Sequence, residues 1–336
     1  MPIDYKTYLE VGCYVALLFF IIPIYYPNNP NIEEAFQEYL VKYNKSYPDK
    51  TIYKHRLDAF KKSLGLIDLL NVNKTNNNSA KYGLTKFSDL TPEEFMLFQN
   101  NRHLSVSKYV KRNNVDEFFW DDSIPKIVDW REAGIVTKVK QQENCGACWA
   151  FAVTECLESM QAIKDKKLVE LSVQQMIDCS TYNRGCEGGD ICSLLQWLKD
   201  YNVTVANETD YPLKLKDQKC QRRDIKGGVQ VKDYVCKNFV GRESVILKLL
   251  ATNGPVAVGV NGQTWQNYVG GIIQFHCDDN LSHAVQIVGY NLTADIPYYI
   301  VRNSWGEDFG DNGYLYIAIG SNMCGVGYEV AALTLI

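Results

Sequence analysis

An α+β fold of two lobes is what the sequence predicts, and three observations carry it. Between residues 148 and 200 the apolar positions recur at helical spacing, whereas from about Pro255 onward they form short runs broken by Gly and Asn. A helical half followed by a strand-rich half is the pattern of an α+β architecture. Of the eleven cysteines, ten follow residue 144, so the same region has the density of a disulfide-bonded module from an oxidising compartment. The 336 residues are 46% hydrophobic, enough for a substantial core and a prior of about two domains.

The elements follow in chain order. Val11 to Tyr26 is uncharged and mostly apolar but short for a membrane span, which predicts a signal peptide over residues 1–26, with an uncleaved anchor as the alternative. Cys13 leaves with such a signal. No stable membrane span is expected elsewhere. Phe36, Tyr39, Leu40 and Tyr43 recur at helical spacing, as do Arg56, Phe60, Leu64, Ile67 and Asn71. Asn71 to Ala80 is a polar break, and Thr91-Pro92-Glu93-Glu94 opens a further helix. Residues 99–123 are polar and irregular, a segment suited to proteolytic cutting. Composition changes at Ile124-Pro125. Trp149 to Ile163 reads as an amphipathic helix starting at Cys148, Ser172-Val173-Gln174-Gln175 as a capping box, and Leu194 to Trp197 as another helix. Strands are predicted at 255–260, 284–290, 298–302 and 314–319.

Composition narrows the function classes. Net charge is −4 with a pI near 5.7, and the acidic excess lies entirely after residue 123, so no nucleic-acid footprint is present. Potential N-glycosylation sites stand at Asn44, Asn73, Asn77, Asn202, Asn207 and Asn291. A seventh sequon at Asn280 is set aside, because a glycan three residues before His283 obstructs a substrate cleft. An odd number of cysteines leaves at least one unpaired within the chain.

The chemistry centres on Cys148. A nucleophilic cysteine must reach the thiolate form, and Cys148 falls where a helix begins, the end that favours negative charge. His283 lies 135 residues beyond it and Asn303 155 beyond it. Cys145-Gly146-Ala147-Cys148-Trp149 followed by a His and an Asn at these distances resembles the papain-like cysteine proteases. Val128-Asp129-Trp130-Arg131, Gly185-Cys186-Glu187-Gly188-Gly189 and Asn303-Ser304-Trp305-Gly306 extend the resemblance over about residues 32–336.

The resemblance implies a helical left lobe and a β-barrel-like right lobe, preceded by a helical propeptide. It implies Cys148 as nucleophile, His283 as its base, Asn303 as the group that orients the imidazole, and Gln142 as an oxyanion donor beside the Cys148 N–H. Trp305 shields the His283–Asn303 contact, Gly188 and Gly189 contribute to substrate binding, and Glu329 lies at the base of the second specificity pocket, where a carboxylate helps to accept Arg. Disulfides Cys145–Cys186, Cys179–Cys220 and Cys277–Cys324 are implied. Cys156, Cys192 and Cys236 are expected as free thiols, with a fourth bridge between two of them as the alternative. Residues 27–123 become an inhibitory propeptide, its inhibitor domain about 32–98, that fills the cleft in reverse, and 124–336 the peptidase. Arg56, Phe60, Ile67 and Asn71 carry the first propeptide motif, with Ile52 and Ser63 departing from it; Gly83, Phe87 and Asp89 carry the second, with Thr85 departing.

The implied protein is an endopeptidase zymogen of an acidic lysosomal compartment or of the secreted pool. It acts on proteins and peptides, is held by its own propeptide and by cystatin-type inhibitors, and needs no cofactor or metal. A dithiol redox role for Cys145-x-x-Cys148 leaves Gln142, His283 and Asn303 unexplained, and a zinc module lacks a second Cys-x-x-Cys. The remaining competitor is an inactive secreted scaffold or inhibitor. Glu143, in place of a Gly, and Phe309, in place of a Trp, feed that reading.

Overall fold

The computed structural model describes residues 30–72, 76–99, 123–221 and 227–336. The predicted signal segment, residues 73–75 with the Asn73 sequon, and the linker 100–122 lie outside the described residues. The chain divides into two compact units, Met1–Leu57 and Asp58–Ile336.

In the first unit, helix α1 (Pro30–Lys42) buries Phe36, Tyr39 and Leu40, positions separated by three and four residues that share one face. Helix α2 (Lys50–Val72) begins here, where the Asp49 carboxylate accepts the N–H groups of Thr51 (2.8 Å) and Ile52 (3.0 Å). Tyr53 on α2 meets Phe36 edge-on at 5.4 Å, and its hydroxyl donates to Glu33 at 3.0 Å.

The second unit starts within α2. Asn71 brackets strand β1 (Lys81–Tyr82), donating to the Tyr82 carbonyl at 2.8 Å and accepting the Tyr82 N–H at 3.2 Å. Helix α3 (Pro92–Met96) carries the predicted start, with Thr91 and Glu94 exchanging both hydrogen bonds of a capping box. After β2 (Ile127–Asp129), helix α4 (Cys148–Asp165) forms the spine of the left lobe, joined by α5 (Val173–Cys179) and α6 (Ile191–Asp200). The chain continues through β3 (Val231–Lys237), α7 (Glu243–Thr252), β4 (Val256–Val260), β5 (Tyr268–Gly270), β6 (Ile272–Ile273), β7 (His283–Asn291), β8 (Tyr298–Arg302), β9 (Tyr314–Ala318) and β10 (Val330–Leu335).

Among the described residues eight strands make one sheet, in the order β3-β10-β4-β7-β8-β9-β6 with β2 on β7. All its pairings are antiparallel except β6 with β9. The path from β3 to β6 does not close, so the right lobe is an open sheet rather than a closed barrel. Gly289 lets β2 lie on β7, since a Cβ there would sit 2.1 Å from the Val128 carbonyl oxygen.

Two hydrophobic cores correspond to the two lobes. One gathers Trp149, Phe151, Leu157, Met176, Leu194 and Leu198 on the helices; the other gathers Val258, Ile287, Tyr299 and Leu315 on the sheet with Trp265 and Trp305 from the connections beside it. Helix α4 corrects the sequence reading, for it is not amphipathic. Every residue from Cys148 to Met160 is buried, because α5 and α6 cover one side while β7 and β10 cover the other. Its polar residues face partners across the seam: Glu158 meets Lys140 at 3.0 Å, Glu155 meets Arg302 at 3.6 Å, and Ser159 accepts from Gln286 at 3.1 Å. The Ser172 motif is half a capping box. Ser172 accepts the Gln175 N–H at 3.0 Å, but the Gln175 amide instead holds the Thr204 carbonyl and the Ala206 N–H.

Candidate active site

The seam between the two cores brings the predicted residues together. Cys148 stands at the first position of α4, whose N-cap Ala147 supplies no side-chain hydrogen bond, so the first-turn N–H groups remain directed at the thiol. The loop before it is tied to the segment after β8: Gln141 bridges Trp305, and the Gln142 N–H reaches the Ser304 carbonyl at 2.8 Å. Gly146 allows close packing here, since a Cβ would lie 2.7 Å from the Cys186 carbonyl oxygen.

His283 opens β7, and its Nε2 is 2.8 Å from Asn303 Oδ1. The same oxygen accepts the Ser304 N–H at 2.8 Å, so it is the amide carbonyl and an acceptor. Nε2 therefore carries the ring proton, assigned from this network, and Nδ1 presents a bare lone pair. Nδ1 is buried with no hydrogen-bond partner among the described residues. The Ala284 N–H, next along β7, points at the Cys148 sulfur, which places the thiol at the start of that strand. Trp305 stacks on the imidazole at 4.8 Å and 28°, and Trp265 meets it edge-on at 6.0 Å.

Cys148 and His283 are both fully buried. Burial pushes the thiol up to about 12, opposed by the N–H groups of Ala284, Trp149 and Cys148 and reinforced by the Glu329 carboxyl. Burial also draws His283 down to about 4, against the Asn303 hydrogen bond. Each group is thus held neutral when the other is neutral. Gln142 is fully buried and fixed at both ends of its amide, donating to the Cys145 carbonyl at 2.9 Å and accepting the Ser304 hydroxyl at 2.5 Å. One of its two amide hydrogens remains for the cleft.

Residues 85–99 pack beside this region. Thr85 donates to the Gln266 carbonyl at 2.5 Å, Ser88 to Asn267 at 2.6 Å, and Lys86 pairs with Asp308 at 2.7 Å. Phe87 and Phe95 lie edge-on to Trp305, whose indole N–H donates to the Phe98 carbonyl at 3.1 Å. Phe309 fills the same aromatic cluster, 4.9 Å from Trp305. Gln99, missed in the sequence, is buried with its amide between the Gly262 carbonyl (3.1 Å) and the Ser282 hydroxyl (2.6 Å). Its own carbonyl oxygen lies 3.1 Å from where a Gly146 Cβ would stand, two residues before Cys148. Of the segment expected to fill the cleft in reverse, residues 100–122 lie outside the described residues.

The remaining predicted positions fall as follows. Gly188 has a φ of +113°, and a Cβ at Gly189 would come within 2.6 Å of the Trp149 ring. Glu329 is partly buried just before β10, beside Gly259. Glu143 is exposed, with a φ of +49°. Bridges join Cys145–Cys186, Cys179–Cys220 and Cys277–Cys324, and a fourth joins Cys192–Cys236. That fourth bridge, the alternative left open by the sequence, corrects the expectation of free thiols at Cys192 and Cys236; among the described residues Cys148 and Cys156, the latter buried in α4, are free. The Cys192 and Cys236 sulfurs lie within 4.8 Å of a Glu329 oxygen, but the bridge consumes both as metal ligands. Of the sequons, Asn44, Asn77, Asn202 and Asn280 are exposed, and Asn207 and Asn291 are partly buried. No helix among the described residues is long and apolar enough to cross a membrane.

Comparison with known proteins defines the class. Residues 124–334 match the papain family cysteine protease model, and residues 36–95 match the cathepsin propeptide inhibitor domain (I29). The chain belongs to the papain family of cysteine proteases, as a cysteine endopeptidase made with its propeptide inhibitor. Within that family it is 39% identical over 278 residues to cathepsin O of Mus musculus, covering 82% of this chain and 88% of that protein. It is 36% identical over 328 residues to the viral cathepsin of Heliothis zea nuclear polyhedrosis virus, covering 94% and 88%. Among solved structures it is similar to a recombinant stem bromelain precursor, with a TM-score of 0.77 and 30% identity over 91% of this chain and 99% of that one.

Proposed function

We propose that Cys148, His283, Asn303 and Gln142 are the catalytic residues of this endopeptidase. The observation that carries the reading is the bare, buried Nδ1 of His283, with Nε2 held by Asn303 at 2.8 Å and the Cys148 thiol at the head of α4. His283 Nδ1 takes the thiol proton, and the sulfur attacks the peptide carbonyl carbon. The C–N bond breaks as His283 returns the proton to the leaving amine, and water then hydrolyses the thioester. The Cys148 N–H and the free Gln142 amide hydrogen face the oxyanion, a contribution of about 3 kcal/mol per donor in such sites.

Residues 1–26 act as the signal, 27–123 as the propeptide and 124–336 as the peptidase. The enzyme works in a lysosome or after secretion, within reach of cystatin-type inhibitors. Glu329, beside Gly259, forms the floor of the second pocket, with Gly188 and Gly189 along its rim. An epoxide warhead added to acid-activated, reduced protein tests the reading. Mass spectrometry is expected to find one adduct on Cys148, and loss of all activity in Cys148→Ala. An unlabelled Cys148 would instead favour the inactive scaffold.

A further inference from the structure

Gln99 fills a polar cradle made of two groups from the sheet lobe. The residue is 1% exposed, its Oε1 accepts the Ser282 hydroxyl at 2.6 Å, and its Nε2 donates to the Gly262 carbonyl at 3.1 Å. The Gly262 carbonyl can only accept, and the Ser282 oxygen already accepts the Gly262 N–H at 3.2 Å, so its hydrogen is left to donate. The cradle thus presents one donor and one acceptor side by side, the complement of a primary carboxamide. Its supports lie outside residues 27–123: the Ser282 N–H donates to the Val260 carbonyl at 2.9 Å, and the Asn261 N–H to the Cys324 carbonyl at 2.8 Å. Ser282 immediately precedes His283, and a Cβ at Gly262 would lie 3.4 Å from His283 Cβ and 3.7 Å from Gln99 Cδ. Trp305, stacked on the imidazole, holds the Phe98 carbonyl on the same side.

Resting on the reading of Cys148 and His283 as the catalytic pair, we propose that this cradle selects glutamine on the amine side of the scissile bond, with Ser282 as the specificity-determining residue. His283 returns its proton to the leaving amine, so the groups beside it flank the part of the substrate that departs as that amine. Gln99 shows which side chain fits there, whichever way the backbone that carries it runs. A Leu side chain in the cradle buries the Ser282 hydroxyl and the Gly262 carbonyl without partners, and a Glu carboxylate sets an acceptor against the Gly262 carbonyl. A site built to hydrogen-bond a polar side chain discriminates against analogues that lack it far more strongly than an apolar pocket discriminates by size.

The test is kcat/KM of the acid-activated enzyme on internally quenched peptides that share Phe-Arg before the scissile bond and differ in the residue after it. Gln is expected to exceed Leu and Glu by about tenfold or more. A peptide with side-chain N,N-dimethylglutamine, which keeps the acceptor and has no donor, should fall to the Leu value on the unaltered enzyme. Ser282→Ala should bring the Gln-to-Leu ratio close to one, and because both peptides use the same Cys148 and His283, the ratio isolates the cradle from any general loss of rate. Equal rates on Gln and Leu in wild type overturn the proposal and leave the catalytic reading standing. A Gln preference that survives dimethylation or Ser282→Ala also overturns it, since the preference then comes from elsewhere. Failure to cleave any of the peptides overturns both.

Discussion

Glu143 holds a backbone φ of +49°, in the left-handed region where a side chain costs about 1–2 kcal/mol and glycine costs little. That conformation explains why glycine is usual at this place in the family. It also changes what Glu143 signifies, because the carboxyl that acts on the Cys148 thiol is Glu329 and not its neighbour in sequence. Glu143→Gly is expected to stabilise the precursor by about 0.5–1 kcal/mol, the relieved strain less the entropy glycine adds to the unfolded chain. Urea denaturation measures it, and a loss of stability would mean that the Glu143 side chain makes a contribution of its own. At this scale the proposed catalytic set was legible, since Cys148, His283, Asn303 and Gln142 lie in motifs of fixed spacing. The place of Gln99 was not, because it comes from Gly262 and Ser282, which face it across the site and which no local pattern records.

Elements show where local reading succeeds and where tertiary structure overrides it. The strands were readable because β-rich runs end at Gly and Asn, and β8 (Tyr298–Arg302) occupies the predicted residues. Helix α4 was misread because Glu155, Glu158 and Ser159 look solvent-facing in sequence, whereas Arg302, Lys140 and Gln286 meet them inside. Pairing of Cys192 with Cys236 was likewise out of reach: it requires α6 beside β3, elements brought together by the fold and not by spacing. This bridge closes a span of 44 residues, for which loop-closure entropy gives a stabilisation of about 2–4 kcal/mol. A Cys192→Ser/Cys236→Ser double variant should lose that much in denaturation under non-reducing conditions. Stability equal to wild type would show that the bridge constrains nothing the lobes do not already hold.

Over the whole molecule, buried ionisable groups set how stability moves with pH. Glu155 is raised by burial to about 7 and Glu329 to about 9, from an ordinary 4.5, while His283 is lowered to about 4 from 6.5. A raised carboxyl keeps a proton that the unfolded chain releases. Its contribution is whole below about pH 4.5 and is lost as pH rises through about 7 for Glu155 and about 9 for Glu329. His283 runs the other way, its contribution present above about pH 6.5 and lost as pH falls through about 4. Between those references Glu155 and Glu329, joined by Glu208 and Glu243, which burial also raises, outweigh one imidazole, and above about pH 7 Glu329 continues the trend, so stability falls by at least about 1 kcal/mol per pH unit from acid toward alkali. Below about pH 4.5 the His283 loss dominates. The precursor is therefore expected to be most stable near pH 4.5–5. Melting temperatures of the full-length Cys148→Ala precursor, which cannot process itself, check this from about pH 4 to about pH 9. Glu329→Gln should flatten the decline above about pH 7, and Glu155→Gln the decline between about pH 4.5 and 7. A melting temperature that climbs from about pH 5 to about pH 8 would sink the assignment.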